Sequence, residues 1–198
     1  MNKLRISYSL MDAWLKKDLV KVGNTYLHIH GDNTEAQNTG LKFDKYVEEY
    51  VMQHYTLPPE LGSMPLDKPI PKFAGAVSYN EQFDISFEMD ILAKNGIIEI
   101  KASEGSDSAD FSNTLQIPFY FLVLSLMTEA NEKSGLWNEQ QWELRNIDRA
   151  YIYRYNPAYK KYDRTMIYKT PRHIKEVRFV IDTEGPELYK FLESEGLL

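Results

Sequence analysis

The chain has 198 residues, 43% of them hydrophobic and 26% charged, enough for one globular domain over residues 1–198 with a full core. It contains no cysteine, which excludes disulfides, thiolate zinc sites, iron–sulfur clusters and cysteine nucleophiles. The longest apolar run, Ile117 to Met127, is broken by Pro118 and Ser125 and falls short of the ~20 residues of a membrane span; with no signal-peptide core either, the expectation is a cytoplasmic protein with no membrane partner.

In chain order, Ser7-Tyr8-Ser9 precedes Leu10, Trp14, Leu15 and Leu19, which share one helical face, with Ser9 as N-cap. Tyr26-Leu27-His28-Ile29-His30 and the turn Gly31-Asp32-Asn33 predict a hairpin, and its two histidines read as hairpin or surface residues in preference to a metal pair. Thr39-Gly40 opens a second helix, with Leu41, Phe43, Val47, Tyr50, Val51 and Tyr55 at helical spacing, and Pro58-Pro59 stops it. Five prolines between Pro58 and Pro71 predict a loop over 57–81.

The most regular stretch follows. Phe83, Ile85, Phe87 and Met89 alternate with Asp84, Ser86, Glu88 and Asp90, the period of a half-buried strand. Ala93-Lys94-Asn95-Gly96 makes a turn, and Ile97-Ile98-Glu99-Ile100-Lys101 is the returning strand. A polar segment, Ser103 to Asn113, leads into a helix from Leu115 to about Glu129. Strands are predicted near Arg149–Tyr155, Thr165–Lys169 and Val177–Asp182, with a closing helix over Glu184–Glu195. This mixture defines an α/β (α+β) chain with a central mixed sheet flanked by helices.

The net charge is −6, yet from Arg145 to Arg178 ten Lys/Arg face only Asp148, Asp163 and Glu176. Tyr151, Tyr153, Tyr155, Tyr159, Tyr162 and Tyr168 lie among these cations. Cations for phosphates with aromatic faces for bases suit a single-stranded nucleic acid, although an exposed sheet of mixed charge would read the same way.

The hairpin carries the chemistry. Glu99 and Lys101 leave the same face of one strand, and Asp90 ends the strand across the turn, close enough to face Glu99. Asp90, Glu99 and the Ile100 carbonyl form an all-oxygen set for a hard divalent cation, Mg²⁺ or Mn²⁺. Such an ion polarises a phosphoryl oxygen and lowers the pKa of bound water, which Lys101 would orient or deprotonate. Glu99-Ile100-Lys101 is the one acid-x-Lys triplet in the chain. After it, Gln116 and Tyr120 stand four apart, on one helical face.

In this order of motifs, Asp90, then Glu99-Ile100-Lys101, then Gln116-Ile117-Pro118-Phe119-Tyr120, the chain resembles the PD-(D/E)xK nuclease superfamily and within it the RecB-like and Cas4-like exonucleases. Ile6-Ser7-Tyr8-Ser9 is similar to the opening helix of that group, and the resemblance runs from about residue 6 to about residue 180. It implies a restriction-endonuclease-like core and a metal-dependent deoxyribonuclease, cleaving DNA with single-stranded ends favoured. Asp90 and Glu99 would bind metal, Lys101 would position water, and Gln116 and Tyr120 would orient the site or touch DNA phosphate. Where the group has a histidine four residues after a glycine, this chain has Gly40 followed by Asp44, with Glu48 one turn on; Asp44 is then a further metal ligand. Glu88 and Asp84 share Asp90's face and are the alternative metal acids. The absent cysteines place the chain with cluster-free members. A non-cleaving nucleic-acid-binding subunit and an RNA-directed nuclease are the rival readings. A helicase or a recombination or defence protein is the expected partner, since the chain has no P-loop of its own.

Overall fold

The computed structural model of the chain describes residues 3–29, 34–103, 108–134 and 144–198. Its elements are β1 (Leu4–Ile6), α1 (Tyr8–Leu15), α2 (Leu19–Tyr26), α3 (Glu35–His54), a 3₁₀ turn (Pro59–Leu61), β2 (Ile70–Ser78), β3 (Phe83–Ala93), β4 (Gly96–Ala102), α4 (Ser108–Ser112), α5 (Gln116–Ser134), β5 (Arg149–Asn156), β6 (Lys161–Tyr168) and α6 (Pro171–Ser194).

β3 is the spine of a six-stranded mixed sheet. β2 runs antiparallel along one of its edges, from Ile70↔Leu92 to Ser78↔Asp84. The other edge is shared: β1 pairs in parallel with Phe83–Ile85, and β4 pairs antiparallel with Ile91–Ala93 only. Ser86 to Asp90 therefore face a gap between β1 and β4, and this gap positions the site. β4 continues in parallel beside β5, and β6 closes the far edge antiparallel to β5. One face of the sheet packs on α1, α5 and α6, and the other on α3 and the 3₁₀ turn.

Local chemistry explains each helix. Ser7, two residues earlier than the predicted Ser9, caps α1 by accepting from Leu10 N–H at 3.1 Å. α3 begins at Glu35 rather than Thr39, because Thr34 and Gln37 form a reciprocal capping box. It ends at Tyr55, in the left-handed conformation, ahead of Pro58. α5 carries the long apolar run and is the central helix, with Ile117 and Phe119 to Leu124 all buried. No helix among the described residues is long and apolar enough to cross a membrane.

Three predicted elements differ. The hairpin at Tyr26–His30 does not form: α2 runs through Tyr26, capped at its start by Asp18, and Ile29 N–H bonds back to Asn24 O at 2.8 Å. Residues 30–33 lie outside the described set, His30 with them. The loop at 57–81 contains strand β2, whose one proline, Pro71, sits on an edge strand, where a missing ladder donor costs least. The strand at Val177–Asp182 and the helix at Glu184–Glu195 are one helix, α6. Val177, Ile181, Leu188 and Leu192 are buried along one stripe while Phe179 is 70% exposed, so the apparent alternation was a helical face crossed by one exposed aromatic.

The β3–β4 turn is tight. Gly96 has φ +146°, and a Cβ there would lie 3.1 Å from the Arg149 carbonyl oxygen. Gly96→Ala is expected to cost about 1–2 kcal/mol, read as a melting-temperature drop of several degrees; an unchanged Tm would show that the turn relaxes freely.

Candidate active site

Asp90 stands where β3 changes phase. Phe83, Ile85, Phe87 and Met89 pack into the larger core cluster and so does Leu92, whereas Ile91 and Ala93 join the smaller cluster under α3. The β2 ladder skips one pair at this point, between Pro71↔Ile91 and Phe73↔Met89, leaving Lys72 opposite Asp90. On the other edge the β4 ladder has stopped, and the Asp90 carboxylate takes its place: Ile100 N–H donates to Asp90 Oδ2 at 2.8 Å. In extended backbone a residue's N–H and C=O leave the same edge, so the Ile100 carbonyl opens onto the same gap.

Glu99 points to the α5 side and is only 3% exposed. Its Oε1 accepts from Lys101 Nζ at 2.5 Å and from Gln116 Nε2 at 2.6 Å. Gln116 Nε2 also reaches Tyr120 OH at 2.9 Å, and that hydroxyl donates to the Glu88 carbonyl at 2.6 Å. The first turn of α5 therefore anchors both the Glu99 carboxylate and the β3 backbone within the gap. Tyr120 is itself buried, at 4% exposure, so its contact is with the protein. Glu99 Oε2 is buried without a hydrogen-bond partner, an expensive state for a carboxylate oxygen.

The electrostatics follow from this crowding. Burial, and then Asp90, raise the pKa of Glu99. Burial lowers that of Lys101, but Glu99 more than offsets it, so the ammonium stays charged. Burial, and next Asp90, push Asp44 up to about 6. Burial and Glu99 keep the Tyr120 hydroxyl in its protonated, donating form.

On the α3 side, Asp44 and Glu48 line a small cleft with Val47, Lys72, Asp90, Ile91 and Ile100. All the residues singled out from the sequence, Asp44, Glu48, Asp90, Glu99, Ile100, Lys101, Gln116 and Tyr120, thus border the gap or this cleft. The alternative acids lie apart from Glu99: Asp84 pairs with Lys3 at 3.2 Å near the start of β3, and Glu88 turns its largely exposed carboxylate toward Lys72, at 3.5 Å. Among the described residues no three acid or imidazole side chains converge into a coordination sphere. Two carboxylates and one carbonyl do not require that. The unpartnered Glu99 Oε2, the Asp90 carboxylate and the Ile100 carbonyl have the oxygen chemistry that fits a hard divalent cation.

Two residues escaped the sequence reading. Lys72 lies in the proline-rich stretch, and no spacing rule links it to Asp90. Tyr8, at the start of α1, bonds through its side chain to Thr114 and lies within electrostatic reach of Lys101. The tyrosine-rich region also divides: Tyr153 is 1% exposed, Tyr155 stacks on Phe43 with ring centroids 4.2 Å apart, and Arg154 pairs with Asp163 at 2.7 Å. Only β6 presents an open row, Tyr162, Arg164, Met166 and Tyr168, on one face.

A mixed six-stranded sheet flanked by helices on both faces is the restriction-endonuclease-like α/β core. It is shared with an alkaline exonuclease from Laribacter hongkongensis, at 14% identity and a TM-score of 0.50, over 97% of this chain and 91% of that one. It is shared as well with a protein of Eubacterium rectale described as an exonuclease, at 11% identity and a TM-score of 0.52, over 98% of this chain and 82% of that one. At these identities the likeness is one of fold. No family model matches the chain, and no curated protein matches it by sequence.

Proposed function

We propose that the chain is a metal-dependent nuclease of the RecB-like and Cas4-like group that hydrolyses DNA phosphodiester bonds, acting as an exonuclease on single-stranded ends. The observation that carries this reading is Glu99, buried beside Asp90, tied to Lys101 and Gln116 through one oxygen and left unpartnered at the other. A structural role would call for pairing both oxygens; a ligand role calls for keeping one free. Asp90, Glu99 and the Ile100 carbonyl would hold Mg²⁺ or Mn²⁺, with Asp44 as a further ligand from α3. When bound, the ion supplies Lewis-acid polarisation of a phosphoryl oxygen and acidifies water. Lys101, held charged against Glu99, orients the attacking water and offsets negative charge as it builds on phosphate. Its charged state favours that role over proton abstraction. Gln116 fixes the Glu99 rotamer, and Tyr120 fixes the β3 backbone across the gap.

The fold shared with exonucleases supports a nuclease, and the row on β6 supports a single-stranded substrate. Tyr162 and Tyr168 are 45% and 52% exposed, with Arg164 between them, a cation flanked by faces on which bases stack. Tyr168→Ala is expected to weaken binding of a single-stranded oligonucleotide about fivefold or more, leaving duplex binding unchanged in the same fluorescence-anisotropy titration. An equal loss on both substrates would remove the stacking role.

The decisive experiment is cleavage of end-labelled single- and double-stranded DNA with Mn²⁺, Mg²⁺ or EDTA. Metal-dependent shortening from a single-stranded end is the expected result, and the ladder of products reports polarity. Binding without cleavage under both metals would replace the enzyme with a nucleic-acid-binding subunit, and preferential cutting of RNA would change the substrate.

A further inference from the structure

Lys72 is built into the acid cleft at a conformational cost. It lies inside strand β2 with φ +51°, a left-handed conformation that a residue with a Cβ adopts only under strain. The ladder pairs on either side of it, Pro71↔Ile91 and Phe73↔Met89, are in register, so the distortion is confined to this position. Its effect is to deliver the ammonium into a ring of acids. Lys72 Nζ lies 3.4 Å from Glu48, 3.5 Å from Glu88 and 3.7 Å from Asp90, and Asp44 adds to the field around it.

These distances differ from those of the neighbouring lysine. Lys101 is locked on one carboxylate oxygen at 2.5 Å and is largely buried. Lys72 is shared loosely among three acids, and its side chain is 39% exposed, with a way out to solvent. A cation shared in this way neutralises the cleft without being committed to any one partner. Asp90 meets it through Oδ1 while Oδ2 holds the Ile100 N–H, so the ammonium draws on the oxygen of Asp90 left available to a ligand.

We propose that Lys72 is a tethered cation that occupies the Asp90 oxygen a divalent ion would use, held there by Glu48 and Glu88, and that must swing out before the ion can bind. The inference rests on the metal-dependent reading of the site. It makes Lys72 the residue that sets the metal affinity: it holds the carboxylates together when no ion is present and raises the ion concentration needed to load the site. On leaving, the ammonium faces solvent at the mouth of the cleft.

The test is Mn²⁺ binding to the intact chain without nucleic acid, measured by isothermal titration calorimetry at low salt. Lys72→Met keeps the apolar stem and the backbone requirement and removes the charge. It is expected to bind Mn²⁺ about tenfold more tightly than wild type, the exposure of the cleft keeping the gain from being larger. The same variant should melt at a lower temperature in EDTA and show a greater stabilisation by Mn²⁺. Lys72→Arg, which keeps the charge, should stay near the wild-type affinity, and Lys3→Met, which removes a distant ion pair with Asp84, should leave Mn²⁺ affinity unchanged. If Lys72→Met folds poorly in EDTA, chelator competition on protein prepared with Mn²⁺ gives the same affinity. Unchanged or weaker Mn²⁺ binding by Lys72→Met overturns the role of Lys72; the metal reading survives that result if wild type binds Mn²⁺ and Glu99→Gln does not. Absence of Mn²⁺ binding by wild type overturns both.

Discussion

Lys101→Ala is expected to lower the rate of DNA cleavage about a thousandfold, with DNA affinity changed only a few-fold and the fold retained. The reason is the arrangement around its ammonium. Lys101 bonds to Glu99 at 2.5 Å, and Glu99 keeps it charged against its own burial. Such a group acts by holding a donor and a positive charge where negative charge develops on the phosphoryl oxygens. Removing it leaves the acids in place and removes that stabilisation at the transition state, so the loss falls on the chemical step. Lys101→Arg should rescue little, because a planar guanidinium cannot replace a compact ammonium in a space shaped by Glu99 and Gln116. Single-turnover cleavage of end-labelled DNA, with binding followed separately, reads the difference. A residual rate within tenfold of wild type would remove Lys101 from the chemistry.

Glu99→Gln separates activity from stability. The substitution keeps the shape of the side chain and removes its charge, so cleavage should fall at least a thousandfold. Folding should respond in the opposite direction. The pKa of Glu99 is raised in the folded chain, burial being the largest cause and Asp90 the next. A carboxyl whose folded pKa lies above its unfolded value favours the folded state at low pH, and that advantage is lost as pH rises through the folded pKa. At pH 8 in EDTA the ionised carboxylate is therefore a burden on the order of 1 kcal/mol. The amide removes it, and Tm should rise by a few degrees. At pH 5, where both forms are neutral in the folded chain, the difference should disappear. A lower Tm for Glu99→Gln at pH 8 would mean that the ion pair with Lys101 outweighs the cost of burying the charge.

The legible part of the site was the part written in local spacing. Glu99 and Lys101 share a strand face because they are two residues apart, and Gln116 and Tyr120 share a helical face because they are four apart. Asp90 could be placed near Glu99 because the Asn-Gly turn sets the hairpin register: Ile91↔Ile98 and Ala93↔Gly96 put Asp90 one step beyond the last ladder pair. Strand β3 and the central helix α5 were legible for the same reason, since a half-buried strand alternates and a buried helix is apolar all round.

The misread elements are those in which two periodicities compete or one residue misleads. Pro71 in β2 suggested a loop, but a proline is tolerated on an edge strand, and a sequence does not say which strand is the edge. Val177, Phe179 and Ile181 in α6 mimic a strand because positions two apart are apolar by coincidence, and only the packing shows Phe179 outside. Tyr26 to Ile29 has β-forming residues, yet the Asp18 cap and the packing of Val22 carry α2 as far as Tyr26, and Ile29 N–H turns back onto Asn24 O.

The sequence alone therefore determined the order of the candidate site residues and the faces they occupy, since those depend on contacts within one strand, one turn or one helix. Tertiary structure decided the gap on the edge of β3, the unpartnered oxygen of Glu99, the burial of Tyr153 and the position of Lys72 among Glu48, Glu88 and Asp90. Each of these depends on segments far apart in the chain approaching one another. Side-chain period carries no record of which segments will meet, and electrostatic partners recruited across a sheet obey distance in space and not separation in sequence.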